Sequence, residues 1–464
     1  MSKLSRWSSK ATWSLVPDLM ASDLLNIAAS GIRAARAALD VSSQNIANAA
    51  TDGYVRRSIR LSEVAGASGY ARVGDLSLSG VRVDGLTRNA DSFRQAEARR
   101  TGSDARRASG ELQAYQNVEA ALDQSRLYPA LTAFETSLQQ LATDPVDPSL
   151  RSAVLENART LTRTFTIAAQ GLDTVAAGLQ FGATDGTTQV NLLAAQLARV
   201  NVQLVRTVPG TSDQVALLDQ RDSLLKGLSD YVDVTATFAA DQSVEVRIGG
   251  AAGPQLVSGN SATSFAMAAA ADGTLSFMLG AAAVTPASGS LAAAAQGLVM
   301  VRDAHARLDS VASSLIVAAN TAQAGGAALD GTAGAPLFSG TSAATIGLAL
   351  TSGAGLATAP AGAPAGSRDP AGLIALRDAL ASADIAGQAN GLLFDVSSAT
   401  QGRKLTSDAL SGIAGAARLA LDSQAGVNLD EEAVNLVRYQ QAFQACGKAI
   451  QVASTLFDTL LAIR

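Results

Sequence analysis

A mainly α chain carrying an inserted β-rich domain is the fold class predicted by three features of the sequence. Apolar residues recur every seven positions at both ends of the 464-residue chain. A 4-3 apolar stripe runs through its middle, and the apolar period drops to two between about 234 and 290. Periods of 3.5 to 3.6 belong to helices and a period of two to strands. The expected architecture is a pair of long coiled-coil-like terminal helices, a helical bundle body and a small outer β domain.

The heptads sit furthest apart in the chain. Leu25, Ile32, Leu39 and Ile46 form one; Leu436, Phe443, Ile450 and Phe457 form the other, each followed three positions on by Tyr439, Cys446, Ala453 and Leu460. A strict seven-residue repeat marks the narrow seam of a coiled coil rather than the broad face of a globular helix. These twelve residues are the expected assembly seam. An isolated helix of this length is marginal in water, so the two ends are expected to pair with each other and to become fully ordered when subunits pack together.

Composition agrees with long helices. Apolar residues make up 48% of the chain, yet aromatics only 4%; much of the apolar content is Ala, which packs helices closely while burying little area. The net charge of −5 is spread without a Lys/Arg stripe, so nucleic acid is not an expected partner. A single cysteine, Cys446, excludes an internal disulfide framework. No run approaches the roughly 20 apolar residues of a membrane helix, and no membrane partner is expected.

Along the chain, residues 1–19 contain Lys3, Arg6 and Lys10, but Ser14, Pro17 and Asp18 break any signal-peptide core. They read as a disordered extension ahead of a second start at Met20. Residues 20–90 hold the N-terminal axial helix, capped by Ser22, then the turn Asn48–Tyr54 with its Asp52-Gly53 dipeptide and a small β excursion around Leu76, Leu78, Val81 and Val83, punctuated by Gly69, Gly74, Gly80 and Gly85. Residues 91–234 form a helical body. There Val154, Ala158, Leu161, Phe165, Ala168, Leu172, Val175 and Leu179 make the 4-3 stripe, and Val190, Leu193, Leu197, Val200 and Leu204 continue it past an expected break at Gly182–Gly186. Residues 235–295 are the β-rich domain, where Val244, Val246 and Ile248 alternate with Glu245 and Arg247. A helix over 296–323, loops and short strands over 324–372, a return of the helical body over 373–425 and the C-terminal axial helix over 426–464 complete the chain.

Candidate chemistry is sparse. His305, the single histidine, falls on the stripe Leu298, Val301, Leu308, Ala312, Leu315 and Ala319 and reads as a structural, partly buried residue. Cys446 sits in the seam as a small hydrophobe. Asp219 and Asp222, three apart, could share a helix face as a metal pair does; with Arg221 between them they read as a solvated charged surface. Asp430, Glu431 and Glu432 complement a helix dipole at the start of the last helix. No phosphate loop, dinucleotide fingerprint, nucleophile elbow or Cys/His ligand set occurs, so no catalytic, cofactor-binding or metal residue is assigned.

Both ends nevertheless resemble a known family. Ser22–Ile32, then Ser43-Gln44-Asn45-Ile46-Ala47-Asn48 and Gly53-Tyr54, are similar to the N-terminal signature of flagellar rod, hook and hook-associated proteins. Gly426-Val427-Asn428-Leu429-Asp430-Glu431-Glu432-Ala433 and Tyr439–Ala445 resemble the closing signature of the same axial family. Leu217–Asp222, Val232-Asp233-Val234, Ile248-Gly249-Gly250 and Pro336-Leu337-Phe338-Ser339 are most similar to its hook–filament junction members. Asn45, Asn48, Gly53, Tyr54, Asn428, Asp430 and Glu431 are the signature positions. Asp52 stands where the family usually has proline, and the central part is short for the family.

The resemblance implies a non-enzymatic structural subunit of the extracellular bacterial flagellum, exported unfolded through the type III channel with the help of a chaperone. It implies a ring of copies of the chain, with hook protein on one side and the second junction protein on the other. Another axial protein (the second junction protein or a hook subunit) is the nearest alternative; a secreted adhesin or enzyme carried by the central segment is the more distant one.

Overall fold

The computed structural model describes residues 16–51, 53–65 and 78–462. The expected extension up to residue 15, the turn residue Asp52, and Gly69, Gly74 and Leu76 of the β excursion lie outside them.

Nine helices are present among the described residues. Helix α1 (Val16–Ala47) is followed by an antiparallel pair, β1 (Arg57–Ala65) and β2 (Leu78–Arg88), then by α2 (Ser92–Ser125), α3 (Leu127–Leu141), α4 (Pro148–Arg206) and α5 (Ser212–Tyr231). The β-rich part comprises β3 (Val234–Phe238), β4 (Val244–Ile248), β5 (Gln255–Ser258), β6 (Ser261–Ala262), β7 (Phe265–Ala269), β8 (Leu275–Leu279) and β9 (Ala282–Val284). Helix α6 (Gly289–Ala324), a stretch of loops with two-residue bridges, α7 (Ala371–Ser382), α8 (Ile385–Ala425) and α9 (Leu429–Ala462) complete the chain. The mainly α architecture with a β insertion is therefore present, with both terminal helices long and packed on each other.

Several boundaries differ from the sequence expectation. The first helix begins at Val16, so positions 16–19 are helical rather than part of a disordered extension, and Ser22 lies within the helix instead of capping it. Helix α6 starts at Gly289, which places residues 289–295 in a helix and not in the β domain. The expected break at Gly182–Gly186 does not occur: α4 runs unbroken for 59 residues. Its start is set by Asp147, whose side chain accepts from the Leu150 N–H, with Pro148 in the first turn. Gly186 is needed for packing, since a Cβ there would stand 2.9 Å from Leu291 Cδ2. A glycine that admits a neighbouring side chain need not end a helix when the turns around it are held by tertiary contacts.

Two apolar cores lie along α4 and α6. The first joins Val154, Leu161, Phe165 and Leu172 of α4 to Phe134 of α3, Leu308 and Leu315 of α6, Leu373 of α7 and Leu392 of α8. Phe338, from the Pro336–Ser339 segment, packs edge-on against Phe134 with ring centroids 5.9 Å apart. Arg151 is buried beside this core and pins the 353–358 loop, donating to the carbonyls of Gly353 and Leu356 and to Thr358 Oγ1.

The second core joins Val190, Leu197 and Leu204 to Leu225 and Leu228 of α5 and to both small sheets, ordered β3-β4-β5-β6 and β7-β8-β9. The alternation read from the sequence holds here: Val244, Val246 and Ile248 are buried while Glu245 faces solvent. Two asparagines of α4 dock the sheets. Asn201 donates to the Val244 and Gly259 carbonyls and accepts from the Val244 N–H; Asn191 donates to the Phe265 carbonyl and accepts from its N–H. Each side-chain amide satisfies strand groups that burial against the helix would otherwise leave unpaired.

Candidate assembly interface

The terminal pair is antiparallel, because Ser42 of α1 meets Glu432 of α9 while Gly31 meets Cys446. A Cβ at Gly31 would lie 2.6 Å from Cys446 Sγ, so the backbones approach closely only because position 31 has no side chain. The other flank of α1 is covered by β2: Ser30 Oγ accepts from the Val81 N–H, and the space beside Gly80 is filled by Ser30 and Ile27.

With neighbours on two sides, the buried arc of α1 is broader than a coiled-coil seam. Its centre is mostly small or polar: Ala28, Ser30, Ala34, Ala35, Ala38, Ser42 and Asn45 are buried, together with Val41. Leu25, Ile32, Leu39 and Ile46 line its edge, half-buried. On α9, Ala453 is buried; Leu436, Tyr439, Cys446 and Ile450 are half-buried, and Phe443 and Phe457 remain 39% and 40% exposed. The side chain of Leu460 lies outside the description. On α1 the heptad residues thus line the edge of the buried arc, whereas on α9 the seam residue Ala453 is buried and Cys446 makes the close approach to Gly31.

A second α9 face is wholly outward. Val434, Val437, Val452 and Leu456 are each more than half exposed. Val434 and Val452 stand five helical turns apart and so share one side of the helix, opposite Glu432 and Ile450. Four large aliphatic side chains on one bare helix face are unusual for a monomer surface and make this face a candidate contact surface.

Polar groups lock this pair onto the body. The buried Glu432 carboxylate accepts from Ser42 Oγ at 2.5 Å, from Asn45 Nδ2 at 3.2 Å and from Arg56 Nε at 2.7 Å. Asn45 also donates to the Arg57 carbonyl and accepts from the Arg57 N–H and the Tyr54 hydroxyl, holding the turn against the helix. Gly53 adopts φ 78°, which supplies the positive φ expected of that turn. Arg57 then reaches Asp219 at 2.8 Å, and Arg88 pairs with Asp219 and Asp222, both at 2.8 Å. Asp222 also accepts from Gln95 of α2 and from Arg221, whose guanidinium in turn donates to the Gln242 carbonyl and lies 4.4 Å over the Phe238 ring.

The reading of Asp219, Arg221 and Asp222 as a solvated surface is therefore overturned. Their side chains are only 18%, 7% and 10% exposed. Arg57 and Arg88, remote in sequence, supply the compensating charge that burial demands. Burial alone would raise the Asp222 carboxyl, but Arg221 and Arg88 outweigh it and hold the group below its ordinary value. Glu432 likewise does more than complement the α9 dipole. Arg56 and Arg57 were missed as site residues; adjacent on an extended segment they point opposite ways, one to the terminal helix and one to α5. Asn428 caps α9 by accepting from the Asp430 N–H, Glu431 lies 3.3 Å from Arg56, and Asn48 donates back to the Gln44 carbonyl.

His305 is 26% exposed and faces Asp173 at 3.1 Å, linking α6 to α4. Among the described residues no His, Cys, Asp and Glu cluster could hold a metal ion, and no helix is long and apolar enough to cross a membrane.

Comparison with known proteins matches three stretches of this layout. Residues 112–338, spanning both cores, match the family model described as flagellar hook-associated protein FlgK helical domain. Residues 25–54 match the flagella basal body rod protein model, and 421–463 match the flagellar basal body rod FlgEFG protein C-terminal model. Flagellar hook-associated protein 1 of Escherichia coli strain K12 is 31% identical over 252 residues, covering 53% of this chain and 45% of the relative. The protein of the same name from Salmonella typhimurium is 30% identical over 249 residues, covering 53% and 44%, and that from Bacillus subtilis 28% over 221 residues, covering 46% and 44%. The chain spans less than half the length of these curated relatives. A solved flagellar hook junction protein FlgK from Burkholderia pseudomallei superposes with a TM-score of 0.47 at 24% identity, over 53% of this chain and 46% of that one. The terminal models at the helix pair and the central model across the helical body all describe flagellar axial proteins, and over 53% of its length the chain is similar to flagellar hook-associated protein 1.

Proposed function

We propose that this chain is a structural subunit of the bacterial flagellum that joins hook to filament, without catalytic activity, and that it assembles through its terminal helix pair after unfolded export. The observation that carries the reading is the bare aliphatic face of α9, turned away from α1 on a helix pair anchored to the body by Glu432, Arg56 and Arg57. Copies of the chain in a ring would cover that face, with hook protein and the second junction protein as axial neighbours and an export chaperone holding the ends beforehand. The twelve heptad positions serve as the assembly seam in this reading, the half-exposed Phe443 and Phe457 included.

Deleting the gene and imaging the cells tests the role: hooks lacking filaments, with unpolymerised flagellin in the medium, are expected, and normal filaments overturn it. Complementing with Val434→Asp/Val452→Asp tests the surface. A soluble, folded, exported variant that fails to restore filaments is expected, because a desolvated carboxylate opposes helix docking by several kcal/mol. Full restoration would remove the α9 face from the interface. Replacement of only distal filament architecture, with hooks properly joined, would favour another axial position.

A further inference from the structure

Outside the seam, the feature least explained by assembly is a cavity of about 740 Å³ between the 49–55 turn, α2, α5 and the end of α8. Arg99 of α2 lines it and is only 9% exposed, yet among the described residues its guanidinium makes no hydrogen bond or ion pair. Asp222 attracts it from a distance, but the oxygens of Asp222 are committed to Arg88, Gln95 and Arg221. A guanidinium keeps its proton at neutral pH, and since no Arg99 nitrogen is among the sealed, unpartnered side-chain atoms, its donors open onto the cavity. Nothing in the fold fills the space: a Cβ built at Gly102 or at Gly415, both on the cavity wall, meets no atom within 4 Å. The other acidic groups on the wall are engaged, Asp422 with Arg418 and Asp230 facing Arg106.

We propose that this cavity is an oxyanion site in which Arg99 receives a phosphate-type or carboxylate group from outside the chain. Planar guanidinium donors suit either group, and the partly desolvated setting strengthens the pair. The oxyanion has two possible sources: a free inorganic anion, which requires no assembly, or an exposed carboxylate of a second copy, which rests on the assembly reading above.

Titrating the full chain with inorganic phosphate at constant ionic strength, by calorimetry, reads the first source. Saturable binding that weakens roughly tenfold or more in Arg99→Gln is expected there. Sedimentation velocity at rising protein concentration, in chloride against phosphate, reads the second. Self-association lost in Arg99→Gln, without phosphate binding by the wild type, assigns the site to a neighbouring copy. If Arg99→Gln alters neither readout, or if neither phosphate binding nor self-association is seen, the proposal is overturned. Should Arg99→Gln fail to fold, Gly102→Leu fills the cavity while keeping Arg99; undiminished binding or association in that variant also overturns it. Loss of filaments in the α9 variants with phosphate binding intact would separate this site from the assembly reading.

Discussion

Glu432 shows how much a single side chain can hold in this fold. With Asn45, it joins α9, α1 and the segment leading into β1, through Ser42, Asn45 and Arg56. Glu432→Ala leaves Ser42 and Asn45 without their buried acceptor and Arg56 with Glu431 alone; a loss of about 1–3 kcal/mol is expected, the cost of leaving buried polar groups unpaired. Hydrogen exchange should locate that loss at α1 and α9, with the body amides unchanged. Asp222 sets a pH dependence. Its carboxyl is held below its ordinary value of 3.8, so its contribution is fully present above that pH and fades as the pH falls through the lower folded value. Asp222→Asn should therefore flatten the stability profile below about pH 4, as measured by urea unfolding across an acid series.

At the scale of elements, the terminal pair depends on closeness more than on bulk. Gly31→Ala would normally favour a helix by about 1 kcal/mol. Here its Cβ would meet Cys446 Sγ at 2.6 Å, so destabilisation of roughly 1–3 kcal/mol is expected instead. Cys446→Ala in the same chain should restore most of it, and a double-mutant thermal melt gives the coupling directly. The β1–β2 pair has a comparable close approach where Gly85, at φ 148°, lies against Gly210 and the Leu86 N–H donates to the Gly210 carbonyl. That contact seats the strand pair on the α4–α5 turn and places Arg57 and Arg88 over Asp219.

For the whole molecule, α4 and α6 run through both apolar cores, which couples the β-rich part to the helical body. Leu161→Ala and Leu197→Ala, one in each core and both at 0% exposure, should each cost about 2–5 kcal/mol and lower a single shared thermal transition. Two separately shifting transitions in calorimetry would show that the cores unfold independently. The outward α9 face is not required for this stability, which is why its charged variants are expected to fold and still fail in assembly.

Periodicity by itself picked out buried faces: the 4-3 stripe of Val154 to Leu172 is wholly buried, and Val244, Val246 and Ile248 alternate inward as their spacing requires. It also located the terminal helices, while the Asn45–Tyr54 and Gly426–Ala445 segments pointed to the flagellar axial family. Tertiary structure alone decided what those helices press against. A helical wheel cannot know that α1 has two neighbours, so it ranked Leu25, Ile32, Leu39 and Ile46 above Ala35, Ala38 and Ser42, although the small residues are the more buried. Nor could local spacing show that Asp219 and Asp222 are buried, because Arg57 and Arg88 lie more than a hundred positions away. Charges that look solvated in sequence become interior when the chain brings their counter-charges back from afar, and here that return joins the terminal helices to the body.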